Sequence, residues 1–83
     1  MSAKILQATV TTADVEALPL VEIAERLIYD DAALNAVCDR MIEAAQRILS
    51  RNLHEEDAWQ QAERDLTPEQ RLAVWHEAVS SIS

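Results

Sequence analysis

The sequence predicts an all-α fold, a small compact bundle of about four helices preceded by an extended arm at residues 1–12. Three observations predict it. Glycine is absent from the 83 residues and proline occurs only at Pro19 and Pro68, while alanine occurs 14 times. Apolar residues recur at helical spacing in three separate stretches. Asp30 and the Thr67-Pro68 pair stand where helix start signals belong. Without glycine, positive φ is costly, so tight hairpin turns are disfavoured. Phosphate-cradling loops of the GxGxxG and GxxxxGK kinds cannot be built at all. With 9 Leu, 6 Ile and 6 Val, branched aliphatics exceed the roughly 20% below which disorder is expected. One domain over residues 1–83 follows, with a radius of gyration of about 12 Å. So short a chain buries only roughly 60–65% of its unfolded surface, and a homodimer is the alternative way to enlarge its core.

At the N-terminus, the run Thr9-Val10-Thr11-Thr12 is β-branched and favours extended backbone, hence the arm. Thr12 or Asp14 caps a short first turn ending near Leu18. Pro19 suits a first helical position, where its missing N–H is not needed. Leu20, Ile23, Ala24, Leu27 and Ile28 then follow i, i+3, i+4, i+7, i+8, one buried face. Asp30 is the expected N-cap of the longest helix, about residues 32–51. Its stripe is Leu34, Val37, Cys38, Met41, Ile42, Ala45, Ile48 and Leu49, and Asn52 is its expected stop. Residues 54–65 read as a short helix with acids in its first turn and a thin face of Ala58, Trp59 and Ala62. Thr67, Pro68 and Gln70 form a capping box with proline at N1. Leu72, Trp75, Val79 and Ile82 are the expected core stripe of the last helix, leaving Val74 and Ala78 on a second, mildly apolar side.

Fifteen acids against seven bases give a net charge of −8, with −5 carried by residues 1–39. Such a chain is repelled by nucleic acid and anionic membrane and attracted to basic protein surfaces. No run approaches the 18 apolar residues of a membrane span. Signal, transit and lipidation motifs are missing, and Cys38 stands alone, so a cytoplasmic protein is expected. Six Arg against one Lys and the excess of Ala suggest a bacterial or phage gene.

No cofactor and no metal site is expected. The cluster His54-Glu55-Glu56-Asp57 has Ala58 where a zincin needs its second His, and no Glu lies three residues before His54 or His76. Cys38 falls in an apolar stripe and reads as a small buried hydrophobe, and His76 reads as half-buried beside Trp75. Arg40, Arg47 and Arg51 align within about 40° of one helical face, a basic stripe able to meet a phosphate or an acidic partner. Leu66-Thr67-Pro68-Glu69-Gln70-Arg71 resembles the start of the recognition helix in sigma-factor-type helix-turn-helix proteins. Only Gln70 and Arg71 would face outward to read bases, so DNA binding is disfavoured.

With no catalytic residues to assign, the expectation is a non-enzymatic, acidic, protein-binding regulator or inhibitor that docks on a basic surface of a partner. Inhibitors of nucleic-acid-handling complexes, antitoxins and anti-activators are of this kind. Glu22, Glu25, Asp30, Asp31, Glu55 and Glu56 are the candidate partner-binding residues. Val74, Ala78, Arg40, Arg47 and Arg51 form a secondary candidate interface. The alternative is a structural or regulatory subunit, or a homodimer, acting through apolar helix faces.

Overall fold

Local capping explains where each helix begins. In the computed structural model, which describes residues 10–81, α1 spans Thr12–Ala17, α2 Leu20–Leu27, α3 Asp31–Leu49, α4 Glu56–Asp65 and α5 Pro68–Ser80. Residues 1–9 of the expected arm lie outside the described residues, as does Ile82. Thr12, expected in the arm or as a cap, is already helical, and Thr11 is the N-cap. Thr11 accepts from the Asp14 amide while Asp14 accepts from the Thr11 amide at 2.9 Å, closing a capping box. Pro19 flanks α2 as its N-cap and makes no side-chain cap. Asp30 caps α3 by accepting from the Ala32 amide at 3.0 Å, as its position predicts. Thr67, Pro68 and Gln70 start α5 with both reciprocal bonds of the capping box present.

The end of α3 differs from the sequence expectation. The helix stops at Leu49, and Ser50 takes the left-handed conformation at φ 55° and ψ 42°. Asn52 lies beyond that stop and accepts from the His54 amide, forming a local turn instead. A chain without glycine must place a side-chain-bearing residue at this reversal. The Gln46 side chain supports it, accepting from the Leu53 amide at 2.9 Å.

The core gathers one face from every helix. Val15, Leu20, Ile23, Ala24, Val37, Met41, Ala45, Leu53, Ala62, Leu66, Val74, Trp75 and Ala78 are all buried. α5 packs on both α3 and α1, α2 packs on α3 and α1, and α4 on α3. The helices form a compact globule with a radius of gyration of 11.9 Å. α2 buries its predicted face, with Leu27 half-buried. The α3 face is centred on Ala33, Val37, Met41, Ala44 and Ala45, so Leu34, Cys38, Ile42 and Leu49 flank it and Ile48 is exposed.

Two assignments on α5 are corrected. Val74 and Ala78, expected on an open side as part of a secondary interface, are fully buried, whereas Leu72 and Val79 are half-buried. His76, expected half-buried, is exposed. Contact with α1 as well as α3 turns the helix so that Arg71, Val74, Trp75 and Ala78 line its inner side.

The α5 capping box yields a direct test. Thr67→Ala should lower stability by about 1 kcal/mol in urea unfolding, through loss of the hydroxyl that accepts from Gln70. Thr67→Ser, which keeps that oxygen, should lose much less. Equal losses in the two variants would show that the cap bond is not the source.

Candidate functional site

Acids at helix starts are favoured by the helix dipole, and five of the six candidate partner-binding residues sit there. Glu22 lies in the first turn of α2, Asp31 in that of α3 and Glu56 in that of α4, while Asp30 is the α3 N-cap and Glu55 the α4 N-cap residue, which makes no side-chain cap. Asp30, Asp31, Glu25, Glu55 and Glu56 are exposed, and Glu22 is half-buried. They do not converge on one patch. α3 rises about 28 Å over its 19 residues, and Asp30-Asp31 and the loop to Glu55-Glu56 leave it from opposite ends. Asp30 Oδ1 is engaged as a cap and Glu56 Oε1 lies 3.5 Å from the Gln60 amide nitrogen.

The arginine stripe behaves differently from its reading in the sequence. Arg51 lies past the end of α3, so the three residues do not share a helical face. Each guanidinium already holds a carboxylate. Arg40 pairs with Glu43 at 2.9 Å, Arg47 reaches across to Glu77 on α5, and Arg51 meets Asp65 at 2.7 Å at the end of α4. Hydrogen bonds from Arg51 and then Gln61 hold the exposed Asp65 carboxyl below the usual carboxylate range. Its ionised form is therefore favoured by folding. That contribution is present above the ordinary carboxylate pKa and is lost as pH falls through the lowered folded value. Being solvent-exposed, such pairs are worth little each. They consume the stripe as a receptor for an outside anion.

Cys38 is half-buried, and burial, with Asp39 and Glu25 adding to it, pushes its thiol above the ordinary value. A thiol so disfavoured as thiolate is a poor nucleophile at neutral pH. His54 and His76 are both exposed. Among the described residues no three of His, Cys, Asp and Glu gather closely enough to hold a metal, and no helix is long and apolar enough to cross a membrane.

Three long-range polar contacts are not visible in the local sequence. Glu63 Oε2 on α4 accepts from the Leu20 amide at 2.7 Å, placing a carboxylate on the N-terminus of α2 that Pro19 leaves without a side-chain cap. Arg71 Nη1 on α5 donates to the Val15 carbonyl at 2.9 Å, satisfying one of the last acceptors of α1. Arg47 and Glu77 link α3 to α5. Separations of 43, 56 and 30 residues leave no periodic signal. The first two brace the α1–α2 elbow against α4 and α5, beside a cavity of about 310 Å³.

No protein family matches the chain, and comparison with curated proteins and with solved structures finds no significant similarity.

Proposed function

We propose that this chain is a small acidic regulator or inhibitor that binds a basic surface of a partner protein through its carboxylates and carries out no catalysis. The observation that supports the reading best is the division of charge on the surface. Arg40, Arg47 and Arg51 are each neutralised by an acid of the same chain. Glu22, Glu25, Asp31 and Glu55 form no ion pair or side-chain hydrogen bond among the described residues. On a chain of net charge −8, these four acids are free of internal partners, the state in which charge steers association with a cationic surface. Val74 and Ala78, the apolar part of the secondary candidate interface, lie in the core. For the competing reading, assembly through apolar helix faces, the large exposed apolar residues among the described residues are Tyr29 and Ile48.

Affinity for a partner captured from the native host tests the proposal. Asp30 is needed as a cap, so the variants are Glu25→Lys with Asp31→Lys, and Glu55→Lys with Glu56→Lys. At least one pair should weaken binding by about tenfold or more while the helical circular dichroism is kept, since breaking a desolvated charge pair costs about 2–5 kcal/mol. Binding should also weaken from 50 to 500 mM NaCl, because exposed charges are screened. Unchanged affinity in both variants and at both salt concentrations would overturn carboxylate docking in favour of an apolar interface.

A further inference from the structure

The cavity at the α1–α2 elbow has an unusual wall for so acidic a chain. Glu16, Pro19, Gln60, Glu63, Arg64 and Arg71 are among its lining residues. Two carboxylates and two guanidiniums thus share one cavity, yet none of the four forms an ion pair among the described residues. Elsewhere Arg40, Arg47 and Arg51 each reach a carboxylate, while Arg26 on α2 forms no ion pair among the described residues. Two of the four groups are pinned, Glu63 by the Leu20 amide and Arg71 by the Val15 carbonyl. That pinning spends Glu63 Oε2 and Arg71 Nη1 on the backbone rather than on each other. The Arg71 Nε–H is itself buried and has no acceptor among the described residues. Neither Glu16 nor Arg64 makes a side-chain hydrogen bond there.

We propose that this cavity binds a small zwitterion, an α-amino acid or a close analogue. Its carboxylate meets the guanidiniums of Arg64 and Arg71, and its ammonium faces Glu16 and the free oxygen of Glu63. Mixed charge is what selects the class. A phosphate dianion would confront two carboxylates, and a simple cation two guanidiniums, whereas a zwitterion pairs both sets. The volume stands at the lower end of ligand pockets, roughly 300–1,000 Å³, which suits a metabolite of amino-acid size. Planar guanidinium is also the side chain best shaped to receive a carboxylate. The proposal is independent of how the outer acids are used.

Nitrogen-15 NMR of the full chain, following the Arg71 Nε–H resonance, tests it directly. The probes are L-alanine, L-glutamine and L-leucine, with acetate, inorganic phosphate and sodium chloride at matched ionic strength as comparisons. At least one amino acid should move the resonance saturably, with acetate and phosphate at least tenfold weaker and sodium chloride without effect. Arg64→Gln and Glu16→Gln, which disturb no bond of the fold, should each weaken the response by about tenfold. Three outcomes would overturn the proposal: no movement beyond sodium chloride with any amino acid, equal responses to acetate and amino acids, or undiminished binding in both variants.

Discussion

Trp75→Ala is expected to leave the chain largely unfolded at 37 °C. The ring is 4% exposed and lies on the side of α5 that meets α1 and α3, so no single neighbouring helix can close the gap. Replacing a buried tryptophan by alanine costs about 3–5 kcal/mol, from lost transfer free energy and the cavity left behind. A chain of this length has roughly 4–12 kcal/mol in all, at about 0.05–0.15 kcal/mol per residue. The loss is therefore a large part of the total. Urea unfolding followed by circular dichroism should show a midpoint moved far toward zero denaturant, or no folded baseline. A midpoint within experimental error of the parent would mean that Trp75 is not part of the cooperative core.

The bundle was legible because its decisive signals are short-range. Asp30 and the Thr67-Pro68-Gln70 group act within one turn, so the residues that announce a helix are those that cap it. The α2 stripe was legible for a similar reason. Leu20, Ile23 and Ala24 of this short helix and Ile28 at its C-cap are all buried, and Leu27 is half-buried. Where two faces compete, periodicity alone fails. On α5 the stripe Leu72-Trp75-Val79 and the stripe Val74-Trp75-Ala78 differ by a rotation of less than a third of a turn. Arg71, at the head of the second, is half-buried, and its guanidinium reaches the α1 carbonyl.

The candidate sites were less legible than the fold, again for physical reasons. The arginine stripe was counted along an ideal helix, but Ser50 turns left-handed and sends Arg51 toward Asp65. The elbow cavity owes its charges to Glu16, Glu63, Arg64 and Arg71, brought together from α1, α4 and α5. No spacing rule links residues that far apart. The pattern that would have hinted at it is Pro19 itself, which starts a helix without a side-chain acceptor and so implies one supplied from elsewhere.

The rotation of α5 has the sharpest consequence at two adjacent positions. Val74 is fully buried and Ala73 is exposed, so the same aspartate substitution should have opposite outcomes one residue apart. Val74→Asp places a carboxylate among Val15, Val37 and the other core residues without a cation arranged to receive it. An unpaired buried charge costs several kcal/mol or is avoided by protonation or unfolding. The variant should be unfolded at neutral pH and should regain helical signal, if at all, only as the carboxyl is protonated at acid pH. Its folded-state pKa is raised by burial, so the stability penalty grows as pH rises above the unfolded carboxyl value and then through the folded one. Ala73→Asp faces water and should lose no more than about 0.7 kcal/mol, the span of helix propensity among ordinary residues. Circular dichroism and urea midpoints at pH 4.5 and pH 7.5 separate the cases. If Val74→Asp is as stable as Ala73→Asp at pH 7.5, the inner side of α5 is the Leu72-Val79 side after all, and Val74 and Ala78 return as an interface.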